Sequence, residues 1–215
     1  MNTKVLRSLS YGVYVTTTVD GQRPTGCITN SVMQITSSPA TIAVSVNHDN
    51  YTNGCIERSG FFAVSILAVD SDASLIGRFG FRSGRDADKF EGLSYESVEG
   101  MPVIADGCGY VVCRVINKME TSTHTVFLGE IIAGETGCKS EPMTYAYYHN
   151  VIKGKSPRNA PTYIPEEAAD APKAESKVKY VCSVCGYEYY GDSLPEGYVC
   201  PICRQPASVF KRVEE

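Results

Sequence analysis

Two Cys-x-x-Cys pairs, Cys182–Cys185 and Cys200–Cys203, stand fourteen residues apart near the C-terminal end of the chain. No other feature limits the fold so tightly. Each pair forms a tight turn that presents two thiolates on one side. Two such turns facing each other make a tetrahedral four-sulfur cage. A cage of that kind suits one zinc or one iron ion. Residues 178–215 therefore read as a small unit built around a metal.

The preceding chain is of a different character. "IPEEAADAPKAESK" is rich in Ala, Pro, Glu and Lys and has no hydrophobic period, so residues 164–177 are expected to form a flexible linker. Residues 1–163 are mainly β. "YGVYVTTTV", "ATIAVSV", "FFAVSIL", "YVVCRVI" and "TVFLGEII" are β-branched runs of strand length. Two short helices are expected, one in "NYTNGCIERS" capped by Asn50, the other in "SDASLIGRF" capped by Ser71 or Asp72. Many short strands with two or three helices predict a β-barrel with helical insertions. No GxGxxG follows a strand, which argues against a Rossmann nucleotide domain.

The remaining composition excludes several functions. A net charge of −4 argues against nucleic acid as a partner. No apolar run approaches the roughly 18 residues of a membrane span, and the start lacks the pattern of a secretory leader. Of nine cysteines, five stand singly (Cys27, Cys55, Cys108, Cys113, Cys138), an odd set that suits a reducing cytoplasm better than a disulfide framework.

"YVCSVCGY" and "YVCPIC", with Phe210 seven residues beyond the last cysteine, resemble rubredoxin. The resemblance implies that Cys182, Cys185, Cys200 and Cys203 hold one iron as Fe(Cys)4. It also implies a small aromatic core made by Tyr180, Tyr187, Tyr189, Tyr198 and Phe210. The segment between the knuckles is shorter than in free-standing rubredoxins, and Tyr198 replaces the usual Trp. Zinc ribbons share this spacing, so a structural zinc knuckle stays open.

"PTGCITNSVMQITSSP" and "THTVFLGEI" resemble the flavin-reductase-like split barrels, which bind FMN and usually work as homodimers. The resemblance implies that the stretch Cys27, Ile28, Thr29, Asn30 and Ser31 faces the flavin ring. Neutral N–H and O–H donors there would stabilise the reduced ring. In "SVNHDNYTNG" it puts the FMN phosphate and ribityl chain near Asn47, His48 and Thr52, beside a helix start. "FGFRSGRDADKF" resembles a family loop, making Ser83, Arg85 and Lys89 candidates for phosphate or a nicotinamide nucleotide. His124 matches the histidine of H-x-x-x-x-G-E-V/I that lies near flavin and nicotinamide, although Thr123 stands where the family often carries Asp. His149 reads as structural or as a dimer contact.

The fused arrangement resembles the high-molecular-weight rubredoxins. It implies electrons passing from NAD(P)H through FMN to Fe(Cys)4, then to an acceptor such as a flavodiiron NO or O2 reductase. Hydride carries two electrons and one iron takes one, so a flavin converter is needed between them. The alternatives are a flavoredoxin-type carrier that never meets NAD(P)H, and a flavin barrel with a structural zinc ribbon.

Overall fold

A computed structural model describes residues 3–139, 141–152, 178–203 and 205–213. The expected linker, 164–177, lies outside the described residues. Seven strands form one antiparallel sheet: β1 (Tyr14–Asp20), β2 (Arg23–Thr29), β3 (Val32–Ser37), β4 (Ala40–Asn47), β5 (Phe61–Ile66), β8 (Gly109–Glu120) and β9 (His124–Thr136). Their order is β2-β1-β5-β8-β9-β4-β3. The two outermost strands, β2 and β3, are consecutive in the chain and are separated only by Asn30 and Ser31. The sheet therefore curls until its edges approach without pairing, which makes it a split barrel. A small hairpin, β6 (Glu96–Val98) and β7 (Met101–Val103), covers part of it.

β1 shows how the strands are chosen. Thr16, Thr17 and Thr18 are all fully buried, because one face points into the barrel and the other lies under neighbouring elements. β-branched side chains suit that pleated surface, provided their hydroxyls find partners. They do. Thr16 Oγ1 meets Thr29 Oγ1 at 2.7 Å, Thr17 Oγ1 donates to the Pro102 carbonyl, and Thr18 Oγ1 donates to the Phe61 carbonyl at 2.8 Å. Inside the barrel, Val44, Val46, Ile56, Phe62, Val64 and Phe127 pack as one cluster. Gly129 sits against them so closely that a Cβ there would lie 2.7 Å from both the Phe62 ring and Cys113 Cβ.

Three α-helices are formed by the described residues. α1 (Tyr51–Ser59) opens as expected on Asn50, whose side chain accepts the Thr52 N–H. Asn53 Nδ2 donates to the Val46 carbonyl and to Thr125 Oγ1, fixing α1 to the end of β4 and the start of β9. α2 (Ser74–Gly80) begins later than the sequence suggests, with Ala73 at its cap and no side-chain cap bond. Ser71 is occupied elsewhere, accepting from the Ala68 N–H and donating to the Asp106 carbonyl. Asp72 does contribute, since its carboxylate accepts from Ser74 N–H and Ser74 Oγ. α3 (Tyr145–Asn150) is capped by Thr144, whose Oγ1 accepts the Tyr147 N–H.

The C-terminal unit is a three-stranded sheet, β11-β10-β12, made of β10 (Lys179–Cys182), β11 (Glu188–Tyr190) and β12 (Phe210–Val213). Tyr187, Tyr189, Tyr198 and Phe210 form a chain of ring contacts, with Tyr198 4.9 Å from Tyr189 and 5.5 Å from Phe210. Tyr180 turns its hydroxyl to the Asp192 carbonyl instead.

Candidate metal centre and flavin cleft

The four paired cysteines converge as their spacing requires. Cys182, Cys185, Cys200 and Cys203 are all buried, and their Sγ atoms lie within 4.8 Å of one another. Cys182 Sγ is 3.6 Å from Cys203 Sγ, and Cys185 Sγ is 3.5 Å from Cys200 Sγ. Sulfurs held about 2.3 Å from a tetrahedral metal stand about 3.8 Å apart, so the cage fits an ion, and the gaps are far too long for disulfides.

Local structure builds the cage. In the first knuckle Cys182 N–H donates to the Tyr187 carbonyl and Gly186 N–H donates to the Cys182 carbonyl. Gly186 has φ +74°, the left-handed turn that closes the knuckle and favours glycine. In the second, Cys200 N–H donates to the Gln205 carbonyl. Backbone N–H groups also approach the sulfurs: Tyr187 toward Cys185, Ile202 and Cys203 toward Cys200, and Gln205 toward Cys203. Hydrogen bonds of this kind stabilise thiolate and set the potential of a bound iron. Without metal the thiols share protons. The Cys185–Cys200 contact raises Cys185 strongly and lowers Cys200.

A cleft opens where β2 and β4 end and β9 begins. Its wall includes Cys27, Ile28, Thr29 and Asn30 from the end of β2, Ser45, Val46 and Asn47 from β4, and His124 from the start of β9. The register explains the grouping, because Asn47 pairs with His124 across β4 and β9, and Ser45 N–H donates to the Ser31 carbonyl at 3.0 Å. Counting its open mouth, the cleft holds about 710 Å³. Its polar groups are neutral amides, hydroxyls and an imidazole, with Asn50 among them, and its remaining wall is apolar. That donor set suits a flat, neutral heteroaromatic ring with one polar edge, as a flavin is.

The expected site residues separate into distinct groups. Cys27, Ile28, Thr29, Asn30, Asn47 and His124 line this cleft. Ser31 is next to it, its Oγ donating to Asn30 Oδ1 at 3.1 Å. Thr52 is buried in the first turn of α1, off the lining. His48 and Arg85 line a second, shallower cleft with Tyr51, Arg58 and Glu120, and Asn50 borders both. In that cleft His48 Nε2 lies 3.0 Å from Glu120 Oε2, and Arg85 lies over the Tyr51 ring. Ser83 lines neither cleft, and its Oγ accepts the Arg85 N–H in its own turn.

Lys89 departs from the expectation. Only 4% exposed, it is turned inward, and its ammonium donates to the carbonyls of Gly26 (2.8 Å) and Phe79 (3.1 Å). Burial lowers its pKa against the ordinary lysine value. It ties β2 to the end of α2 and lines neither cleft, so it has no reach to a phosphate there.

At His124, the Thr123 hydroxyl stands where the resemblance has Asp, 2.8 Å from Nδ1. His149 packs edge-on against Tyr145, with ring centroids 4.4 Å apart. The lone thiols Cys27 and Cys113 are raised by burial, Cys113 to about 12, which keeps them protonated and unreactive.

Sequence reasoning missed one wall entirely. Ile76, Phe79, Gly80 and Phe81 from α2 and its end, with Tyr145 and Tyr148 from α3, complete the cleft. Apolar residues at helical spacing read as core, and nothing in their pattern marks a binding wall. Tyr148 is also close to the cage: burial, then Tyr145, Cys185 and Cys200, push its phenol well above the usual range.

Comparison with known proteins follows the same division. Residues 6–155 match the family described as flavin reductase like domain, and residues 180–211 match the rubrerythrin, rubredoxin-like domain. The chain belongs to the flavin reductase like family. It carries a rubredoxin-like domain at its C-terminal end, and it is an oxidoreductase of the flavin-reductase type. Over 99% of its length it is 39% identical to a high molecular weight rubredoxin of Moorella thermoacetica, all of which is covered. It is 38% identical over 76% of its length to a ferric-chelate reductase (NAD(P)H) of Archaeoglobus fulgidus, 98% of which is covered. Among solved structures, an NADH:FAD oxidoreductase of Streptomyces globisporus superposes with a TM-score of 0.60 at 26% identity, covering 65% of this chain and 84% of that one. Flavin and iron are the cofactors that this pairing of domains implies.

Proposed function

We propose that this flavin reductase family member takes hydride from NAD(P)H onto FMN in the β2–β4–β9 cleft. Electrons then pass singly to an Fe(Cys)4 centre held by Cys182, Cys185, Cys200 and Cys203. One observation carries the reading: a neutral-donor cleft and a four-thiol cage lie side by side in one chain and share the residues Ile76, Phe79 and Tyr148. Bound flavin would supply the change from two-electron to one-electron chemistry.

The chain's residues supply position and access. Asn30, Asn47 and Asn50 present neutral polar groups to the polar edge of the ring, while Ile28, Ile76 and Phe79 exclude water from its apolar face. The second cleft meets the first at Asn50, and its Arg58 and Arg85 offer cationic groups, with the His48 imidazole beside them, to the flavin phosphate or to the nucleotide donor. His124, on the cleft wall, is the residue proposed to orient the nicotinamide carboxamide. FMN and NAD(P)H are favoured by the resemblance in these segments, and the A. fulgidus relative is a ferric-chelate reductase (NAD(P)H).

A homodimer is proposed because β3 is an edge strand with Met33 and Ile35 exposed, an edge that a second copy would cover. A cytoplasmic location and a flavodiiron-type acceptor complete the proposal. Residues 1–163 and 178–215 act as two domains joined by 164–177. The cytoplasmic location suits nine cysteines that form no disulfide. A second reading, direct reduction of ferric chelates at the flavin, is favoured by the A. fulgidus relative.

The test is anaerobic addition of NADH to purified holoprotein, and separately to a Cys200→Ala chain. Flavin bleaching in both, with a red iron chromophore present and reduced only in the first, supports the proposal. Bound zinc without iron would refute the electron-transfer role of the cage. Undiminished acceptor reduction by Cys200→Ala would favour the ferric-chelate reading.

A further inference from the structure

The two knuckles share one backbone pattern but differ in burial. In the first, Ser183 and Val184 between the cysteines are exposed. In the second, Pro201 is exposed as well, but Ile202 is fully buried. Ile202 belongs, together with all four cysteines, to the packed cluster that contains Leu75, Ile76 and Phe79 of α2. The second knuckle thus turns Ile202 to the barrel, where the first turns the matching Val184 to solvent.

The contact centres on Gly77. A Cβ at this position would lie 2.5 Å from the Ile202 carbonyl oxygen, 2.6 Å from Cys203 Cα and 3.2 Å from Cys203 Cβ. The first two are backbone atoms, which cannot swing aside as a side-chain end can. Gly77 lies inside a helix and is absent from the positive-φ positions, so the backbone conformation does not call for glycine. Alanine is the better helix former there. Close approach of the knuckle is the remaining physical reason for glycine.

We propose that Gly77 is the seat on which the second cysteine knuckle docks within the same chain. Ile76 and Tyr148 are the positioning residues that hold the metal cage against the flavin cleft. This rests on the reading of the cleft and cage as flavin and metal sites, and it adds the route between them. Ile76 and Tyr148 line the cleft and pack in the same cluster as all four cysteines. The seat leaves the Ser183–Val184 side of the cage for an outside acceptor.

The test uses the full chain loaded with zinc, without NADH, and reads hydrogen exchange at Ser74–Gly80 and at the second knuckle. In an isolated helix Gly→Ala ordinarily slows opening about fivefold. Here Gly77→Ala is expected to do the reverse, speeding exchange at both α2 and the second knuckle, and Gly77→Leu to speed it about tenfold or more. Zinc content should stay at one per chain. Should Gly77→Leu fail to fold, Gly77→Ala and the wild type carry the test.

Slower exchange in Gly77→Ala, or no change at the knuckle, would overturn the seat. So would protection that falls on hundredfold dilution of the wild type, since a second copy would then supply the knuckle. The functional reading is judged separately, by NADH reduction of the iron form. Iron that stays oxidised would sink that reading while knuckle protection still stood, and iron that reduces normally in a chain without knuckle protection would do the opposite.

Discussion

Replacing Lys89 by Met separates a structural lysine from a phosphate ligand. The ammonium donates to the Gly26 and Phe79 carbonyls from a buried position. Met fills the volume but leaves both carbonyls short of a donor, which costs about 1–3 kcal/mol each. Relief of the buried charge returns part of that, so the net loss is expected to be about 2 kcal/mol. For a chain of this size that lowers Tm by about 4–8 °C.

The pH dependence carries its own sign. Burial depresses the folded-state pKa of Lys89 below the unfolded value. Between those two values the unfolded chain binds more protons, so wild-type stability rises with pH in that alkaline window. Below the folded pKa the penalty is constant. Lys89→Met should lack this rise, seen as a wild-type-minus-variant difference that grows with pH. Thermal melts of the flavin-free chain from neutral to alkaline pH provide the assay. An unchanged Tm together with flavin or nucleotide affinity weakened tenfold would refute the structural role and restore the ligand expectation.

Three further outcomes follow from other contacts. Gly129→Ala places a Cβ against Phe62 and Cys113, and urea melts should show a loss of about 1–3 kcal/mol, with flavin still bound by what remains folded. Asn50→Ala removes the cap of α1 and a polar group from the cleft wall, so chemical denaturation should show a loss of about 1 kcal/mol, and fluorescence titration weaker flavin binding. Metal loading of the apo chain must displace protons from the cage thiols, Cys185 and Cys203 being raised, so zinc affinity should fall as pH falls. Calorimetry in buffers of different ionisation enthalpy should detect the released protons.

What the sequence reveals here depends on how local the determinant is. The cage is legible because each knuckle is four residues long and the spacing alone brings the sulfurs together. Asn50 is legible for the same reason, since its side chain caps a helix two residues away. The five β-branched runs each supply a strand, because residues such as Val44 and Phe127 must face a shared interior, although Tyr11 to Val13 precede β1 and Leu67 follows β5. Tertiary choices are harder to read. α3 is an aromatic six-residue run with little helical preference, held by the Thr144 cap and the burial of Tyr148. Lys89 reads as a surface charge until Gly26 and Phe79 are seen to offer it carbonyls. Gly77 carries no signal at all in sequence, because its neighbour lies 125 residues further along the chain, at Ile202.

The proposed route takes electrons in at the cleft and on to the cage within one chain. Anaerobic stopped-flow mixing of the holoprotein with saturating NADH, followed separately at flavin and iron wavelengths, tests it most directly when repeated after hundredfold dilution. Flavin should bleach first and iron second, with a flavin-to-iron rate independent of protein concentration, because the cage is already seated beside the cleft. Iron reduction that slows in proportion to dilution, or that precedes any flavin signal, would contradict the account.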